Sequence, residues 1–477
     1  MKAPFSEYVN SLLPGLKKLV GLLGEHYEYV SILSTDSKGL TVSASRHAKS
    51  VGDETMMTER GNVVRVMKNG LYSEYAFNRF DPQDPEGAAA AIRKTLDEQL
   101  EVLAECNVPA YETGLLPDEP FELFVEKETQ QLPESCDLPG LVEILSGICE
   151  QGLALSDDMA DCIVRAQSTH ISKLFLTKNR CMRQSYVYSE GTIAAIVNRD
   201  GNNKLGYRGI SGLCGPELFA KLSDELPKAV QDAMTMLDAG RIVPGEYEII
   251  TSPEVTGLIA HEAFGHGVEM DMFVKDRALG AQYIGKRIGS DLVTMHEGAL
   301  CTENVTSYAF DDEGTLAGDV TEIDHGILKG GICDALSALR LGCEPTGNGK
   351  RENFEHKVYT RMTNTLIDSG KDELEEMIRS VRYGYLLEGV ESGMEDPKHW
   401  GIQCVIQMGR EIKDGRLTGK VVSPVLMTGY VPDLLSRVTM ASPHRGVFGT
   451  GGCGKGHKEW AKVTDGGPYL KTIGRLA

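Results

Sequence analysis

The first half of the chain mixes helical and strand-like spacing of its hydrophobic residues. Hydrophobic positions recur every three to four residues in four segments, which predicts helices at 5–23, 86–106, 139–166 and 215–238. Alternating hydrophobic and polar positions predict strands at 27–33, 40–45, 62–67, 71–77, 171–198 and 205–210. Turn residues such as Lys38-Gly39 and Asn69-Gly70 separate the early strands, so we expect an antiparallel meander there. The first half is therefore predicted to be a two-layer α+β domain.

The second half is richer in glycine and more strand-like. Gly240, Pro244 and Gly245 follow the last helical pattern of the first half and indicate a domain boundary between residues 239 and 240. Hairpin signals recur at 323–330 and 411–417, whereas 372–382 is the one further clear helical pattern. We predict an α+β fold of two domains, with an N-terminal α/β-mixed domain over residues 1–239 and a C-terminal, mostly antiparallel β domain over residues 240–477.

One helix near the start of the second domain carries candidate chemistry. A predicted strand at 247–250 leads into Thr251-Ser252-Pro253-Glu254, a typical helix opening, and then into His261-Glu262-Ala263-Phe264-Gly265-His266. Two histidines with a glutamate beside the first are the minimum parts of a zinc hydrolase. The histidines stand five residues apart, and on a regular helix this spacing points their imidazoles about 140° apart. We therefore expect a π-type turn or a helix end between them, which Gly265 and Gly267 favour.

Composition limits the classes of protein that the chain can belong to. Its 477 residues, 41% of them hydrophobic, are enough for two buried cores. The formal net charge of −20 argues against a nucleic-acid-binding role, because binding phosphates needs a concentrated positive surface. No segment approaches the roughly 20 apolar residues needed to cross a bilayer, and the first thirty residues lack a signal-peptide pattern. We expect a soluble cytoplasmic protein that binds neither nucleic acid nor membrane.

The cysteines point to a single candidate of chemical interest. Eleven cysteines are scattered along the chain without a C-x-x-C pair, which indicates neither a disulfide framework nor a zinc finger. Cys453 differs from the others because it lies in the glycine-rich segment 449–456, beside Lys455, a cation that would favour the thiolate. This makes Cys453 a candidate metal ligand or nucleophile.

The residues alone leave the third ligand of a metal site open. Glu269 follows His266 at the i+3 spacing of a helix, and two histidines with a carboxylate form a common catalytic zinc site. Cys453 is the competing candidate. If Cys453 is the ligand, Glu269 either orients a ligand imidazole or is a solvated carboxylate on the helix surface.

Five stretches, taken together and in order, resemble the TldD/PmbA (TldD/TldE) peptidases. They are His261–Glu269, Asp311–Thr315, Pro345–Glu352, Arg361–Thr365 and Gly452–Lys455, and they span essentially the whole second half. Because the chain has both the His-Glu-x-x-x-His motif and the late cysteine, it is similar to the metal-bearing, TldD-type subunit of that family. One departure is His457, which follows Lys455-Gly456 where TldD sequences usually continue with a glycine-glutamine step.

The resemblance implies a function and a set of site residues. It implies a zinc-dependent protease in which His261, His266 and Cys453 bind Zn²⁺ and water takes a fourth position, with Glu262 as the general base. It also implies that the substrates are unfolded peptides, and that the protein removes leader peptides or degrades small proteins. The implied partner is a TldE/PmbA-like subunit or a second copy of this chain. Arg361 and Asn364 are expected either to donate to the substrate or to hold a loop. The alternative function is a non-enzymatic interaction protein with a structural metal site.

Overall fold

The computed structural model describes residues 1–106, 113–455 and 458–477. The helices are α1 Glu7–Gly24, α2 Pro85–Glu105, α3 Leu138–Ala154, α4 Leu226–Leu237, α5 Pro253–Leu258, α6 Asp271–Val274, α7 Ala335–Leu341, α8 Leu374–Arg379 and α9 Val431–Ser436. Short 3₁₀ segments lie at Pro133–Ser135, Pro216–Glu225, His266–Val268 and Leu279–Gln282, and a π-helical segment lies at Ile259–Gly265. Among these residues, none of the helices is long and apolar enough to span a membrane.

The strands follow the chain in two groups. Those of the first half are β1 Tyr29–Ala44, β2 Lys49–Gly52, β3 Arg60–Lys68, β4 Leu71–Phe77, β5 Phe121–Glu126, β6 Met159–Leu176, β7 Arg180–Arg199 and β8 Asn202–Gly212. Those of the second half are β9 Gly245–Thr251, β10 Met295–Glu297, β11 Val320–Asp324, β12 Ile327–Leu328, β13 Gly349–Lys350, β14 Tyr359–Thr360, β15 Asn364–Ile367, β16 Tyr383–Asp396, β17 Gly401–Lys413, β18 Arg416–Val422, β19 Val425–Tyr430, β20 Met440–Phe448, β21 Gly452–Lys455, β22 Lys458–Lys462 and β23 Thr464–Leu476.

The first sheet forms a two-layer structure with α1 to α4. Its strand order is β4-β3-β1-β6-β7-β5, with β2 paired to β1 and β8 paired to β7, and only the β5–β7 pair is parallel among the described residues. Val30 and Ile32 of β1 pack against α1 and α2, whereas Val42 packs in the same cluster as α3 and α4. All three residues are even-numbered and therefore point to one face of the strand. The four helices thus cover one face, as the two-layer α+β prediction requires.

The opposite face of the first sheet contacts the second half of the chain. Ile171 and Tyr188 of the first sheet lie in one buried cluster with Val305 and Tyr308. An ion pair also joins the two halves, since the Arg351 guanidinium lies 2.6 Å from a Glu74 carboxylate oxygen. The predicted division between residues 239 and 240 falls after the last strand of the first sheet and before β9, and it stays a prediction.

The second sheet closes on itself around the helix that carries the histidines. Strand β9 pairs with both β16 and β23, so β9, β16, β17, β19 and β23 form a closed ring. The pairs β9–β16 and β15–β23 are parallel, and the other strand pairs of this sheet among the described residues are antiparallel, which matches the predicted mostly antiparallel β architecture. Phe264 and Val255 pack in the large core between this ring and the segment that contains both histidines.

Some predicted elements are wrong in detail. Residues 27–33 and 40–45 were expected to be two strands with a turn at Lys38-Gly39, but they belong to the single strand β1. Gly39 instead leaves room for the loop before β3, because a Cβ there would lie 2.5 Å from Thr58 Oγ1. The helical pattern at 139–166 ends in α3, and its last eight residues form the start of β6. The hydrophobic spacing of α7 and α9 was too short to be recognised as helical.

Candidate metal centre

The helix that carries the histidines widens between them. Helix α5 is capped by Ser252, whose Oγ accepts a hydrogen bond from the Val255 amide, and it continues into the π-helical segment Ile259–Gly265. At the end of this segment the His266 amide donates to the His261 carbonyl, the five-residue spacing of a π-helix. The two imidazole centroids consequently lie only 5.0 Å apart. The π-type turn predicted from the spacing of the motif is confirmed.

A distant strand brings a thiol to the two imidazoles. Cys453 on β21 places its Sγ 3.1 Å from His266 Nε2. The ligand atoms of His261, His266 and Cys453 all lie within 4.8 Å of one another, and the three side chains are buried. Two protein ligands of one zinc ion lie on the order of 3.5 Å apart, so this donor set fits zinc in both chemistry and size.

Burial determines the protonation of the Cys453 thiol. It raises the pKa of the thiol to about 11, although the Arg361 guanidinium acts in the opposite direction. The expectation that Lys455 favours the thiolate concerns a side chain outside the described part of the structure, and it stays a prediction. A thiolate at this position depends on a cation bound beside it, because a coordinating metal deprotonates a thiol outright.

Glu262 lies beside the three candidate ligands without being one of them. Its Oε2 is 3.9 Å from His266 Nε2, the same nitrogen that faces Cys453. Gly393 on β16 makes room for it, because a Cβ at Gly393 would lie 2.4 Å from Glu262 Cγ. A cavity of about 830 Å³ opens onto His261, Glu262 and Cys453 together, so a peptide could reach all three.

Two buried side chains hold the far side of the centre. The Glu269 carboxylate is fully buried and lies 3.5 Å from His266 Nδ1, on the opposite side of the imidazole from Cys453. Its other oxygen lies 3.7 Å from Arg361 Nε, and Arg361 Nη2 donates to the Cys453 carbonyl at 2.8 Å. A solvated Glu269 is therefore ruled out. Its position fits a residue that orients His266.

Comparison with known proteins finds relatives that are named metalloproteases. The sequence profile of the PmbA/TldA metallopeptidase C-terminal domain matches residues 244–471, the range that contains the whole centre. The second half of the chain is a domain of the PmbA/TldD family. A metalloprotease of Synechocystis sp. is 26% identical over 464 residues, which cover 96% of each protein. A zinc metalloprotease TldD homolog of Saccharolobus solfataricus is 29% identical over 48% of this chain and 50% of that protein.

Solved structures share the PmbA/TldD fold over the full length. TldE from Thermococcus kodakarensis has a TM-score of 0.77 at 18% identity and covers 97% of this chain and 100% of its own. A putative modulator of a DNA gyrase from Thermotoga maritima has a TM-score of 0.75 at 16% identity, with 97% and 99% covered. At these identities the likeness establishes the fold.

Residues of two other motifs of the PmbA/TldD resemblance make hydrogen bonds within the second half of the chain. Asn364 donates to the Gly298 carbonyl and accepts from Thr306, so it holds a loop. Lys350, in the stretch Pro345–Glu352, donates to the Met362 and Lys462 carbonyls. Burial lowers the pKa of this lysine to about 7. His457 lies outside the described residues, so the departure noted there stays a prediction.

Sequence reasoning missed two residues that shape the cleft. Gly393 is one of many glycines, and nothing local distinguishes it from a residue of an ordinary hairpin strand. Asp465 lines the same cavity as Glu262, yet its neighbours in the sequence carry no recognisable motif.

Proposed function

We propose that this chain is a zinc-dependent peptidase that hydrolyses peptide bonds of unfolded or flexible peptides. The observation that carries the proposal is the buried convergence of His261, His266 and Cys453 on one point at the wall of a cleft. The match of residues 244–471 to a metallopeptidase domain supports it, as does the name of one relative, a zinc metalloprotease.

Three protein ligands are the number typical of a catalytic zinc site. His261 and His266 would hold the ion through imidazole nitrogens, and Cys453 would hold it through its thiolate. Two imidazoles and a thiolate form a borderline-soft set that suits zinc better than magnesium or calcium. When bound, zinc would supply a Lewis acid that lowers the pKa of a coordinated water to about 7.

Glu262 is proposed to move the proton in the reaction. Its carboxylate lies beside the Nε2 side of His266, where it can accept a proton from the attacking water and deliver it to the leaving amine. One carboxylate then serves as general base and general acid in turn. Glu269 fixes the orientation of His266 from the other ring nitrogen, and Arg361 positions both Glu269 and the Cys453 carbonyl.

The cleft and the family similarity support a proposal for the substrate and the partner. A cleft walled by strands and by the histidine helix suits an extended chain better than a folded domain, which supports leader peptides or small flexible proteins as substrates. The full-length likeness to a protein named TldE supports a TldE/PmbA-like partner subunit, or a second copy of this chain, in a dimer. We also propose that the protein acts in the cytoplasm.

The experiment pairs metal analysis with cleavage of an unfolded peptide, with and without a chelator. We expect about one zinc per chain, hydrolysis of an unstructured peptide, loss of both after chelation, and recovery with zinc. If the partner is required, the same assay with the family's TldE-type subunit added restores the activity. Tightly bound zinc without hydrolysis in either assay would instead favour an interaction protein with a structural metal site, and no transition metal would refute the ligand assignment.

A further inference from the structure

The cleft that contains the proposed zinc site has an unbalanced set of charges. Its described lining includes four carboxylates, Glu254, Glu262, Glu391 and Asp465, and one guanidinium, that of Arg208. Arg208 is already engaged, because its Nη1 lies 2.6 Å from Glu254 and its Nε lies 3.1 Å from Glu225. The one cation of the described lining is therefore not paired with Asp465.

Asp465 is the carboxylate that this imbalance affects most. It is partly buried on β23, and neither a hydrogen bond nor an ion pair to its carboxylate is found among the described residues. Glu391, in contrast, is exposed to water, and Glu254 has Arg208 as a partner. Withdrawing an ionised carboxylate from water without a partner is unfavourable, so this side chain is poised to gain from a cation.

The backbone places Asp465 close to the proposed reaction centre. A Cβ at Gly257 would lie 2.5 Å from Asp465 Oδ1, so the carboxylate rests against helix α5 at a position that only glycine permits. Gly257 precedes His261 by four residues, one helical turn on the same side of the helix. Burial, with Glu262 and Glu254 nearby, raises the pKa of Asp465 to about 8. A bound cation would offset this effect and hold the carboxylate ionised.

We propose that Asp465 is a specificity-determining residue that binds a positively charged group of the peptide substrate next to the scissile bond. The inference rests on the proposed peptidase function and narrows its substrates to peptides with a cationic group at that place. The cation is an ammonium or guanidinium, and it comes either from a Lys or Arg side chain or from the free amino terminus of the peptide. The carboxylate pairs with either group by a charge-assisted hydrogen bond.

The test compares matched peptides in competition. Unstructured peptides carry a single Lys, or its uncharged isostere norleucine, at each position in turn, and each is made with a free and with an acetylated amino terminus. The readout is the ratio of kcat/KM values for zinc-loaded protein, with its partner subunit if the activity requires it. We expect one position at which Lys exceeds norleucine by about 10-fold, which corresponds to about 1.4 kcal/mol, because the carboxylate forms a charge-assisted hydrogen bond with Lys and none with norleucine. If instead acetylation causes the loss at every position, the bound cation is the amino terminus.

Matched variants show whether Asp465 is responsible. Asp465→Asn, which removes the charge at nearly constant shape, should bring the ratio close to one while zinc content and melting temperature stay unchanged. Glu375→Gln removes the same charge from the exposed surface of α8, outside the cleft, and should leave the ratio as in the wild type. Asp465→Ser provides a second variant if the Asp465→Asn protein fails to fold.

The outcomes separate this inference from the proposed function. Cleavage of all peptides at equal rates by the wild type would overturn the role of Asp465 and leave the peptidase intact. A cation preference that persists in both Asp465 variants would overturn it as well. Absence of cleavage of any peptide by the zinc-loaded protein, with or without its partner, would instead count against the peptidase function itself.

Discussion

His266 Nε2 lies 3.1 Å from Cys453 Sγ, although 187 positions of sequence separate the two residues. The contact joins the π-helical segment at the start of the second half to the glycine-rich strand near its end. Glu269 occupies the other nitrogen of the same imidazole, and Arg361 connects Glu269 to the Cys453 carbonyl. The centre therefore depends on both ends of the second half being folded together.

Cys453 should bind zinc and be protected by it. As a ligand it is held as a thiolate within the metal's coordination, so zinc-loaded protein should react with a thiol reagent at Cys453 much more slowly than zinc-depleted protein. The exposed Cys106 and Cys343 serve as internal controls whose labelling should not follow zinc. Cys453→Ala should weaken zinc binding and leave the fold intact. Full zinc occupancy in that variant would indicate that Glu269, and not Cys453, is the third ligand.

Glu262→Gln should separate metal binding from chemistry. The amide occupies the same space but cannot accept a proton, so zinc content should stay at the wild-type level while kcat falls by about 10²–10⁴-fold. Metal analysis and peptide hydrolysis on the same preparation check this. His261→Ala is the contrasting variant and should lose both zinc and activity. Near-normal turnover of the Glu262 variant would exclude its role as the base.

Gly393→Ala should impair Glu262 by steric pressure alone. The added Cβ would lie 2.4 Å from Glu262 Cγ, so the carboxylate must move away from its place beside His266. Activity should fall about 10²-fold, as expected for a misplaced catalytic group, while zinc binding stays unchanged. Gly401→Ala is the matched control in the next strand, because a Cβ there meets no atom within 4 Å. Equal activity of the two variants would contradict the packing argument.

Glu269→Gln should lower the affinity for zinc without abolishing it. A carboxylate behind a ligand imidazole fixes its orientation and raises its basicity, and loss of such a partner typically costs 10- to 100-fold in metal affinity. Competition with a zinc chelator measures the change. A loss as complete as that of His266→Ala would show that Glu269 binds the metal directly.

The sequence carried enough information to predict the chemistry of the centre and the bend in its helix. The five-residue spacing of His261 and His266 required a widened turn, and a π-helix is found there. The late cysteine could be connected to the histidines only through the family resemblance. The pairing of β15 with β23 brings distant parts of the second half together. Hydrophobic periodicity within a short window does not predict such a pairing.

Other parts of the fold were predicted less well because tertiary contacts overrule local signals. Gly39 resembled a turn residue, yet it lies inside a continuous strand because the neighbouring loop needs the space of its missing side chain. Asp465 and Gly393 act through neighbours that are remote in the sequence. Their roles become visible only when the cleft is assembled.

Glu322 should make the stability of the protein fall as the pH rises. This residue of β11 is fully buried, neither of its oxygens has a hydrogen-bond partner in the described part of the chain, and burial raises its pKa well above 4.5. Between pH 4.5 and that raised value the folded state holds a proton that the unfolded chain has lost. The free energy of unfolding therefore decreases by about 1.4 kcal/mol per pH unit from this group. In Glu322→Gln this pH-dependent contribution to the free energy of unfolding should vanish. If the free energies of unfolding of the variant and the wild type instead change in parallel from pH 5 to 8, the prediction is wrong.

The most direct measurement of the central claim is X-ray absorption spectroscopy at the zinc edge of the reconstituted protein. The account predicts one sulfur ligand at about 2.3 Å and two imidazole nitrogens at about 2.0–2.1 Å, with a further light atom from water. In Cys453→Ala the sulfur contribution should disappear. A wild-type spectrum that contains only nitrogen and oxygen ligands would contradict the assignment of His261, His266 and Cys453 as the zinc site.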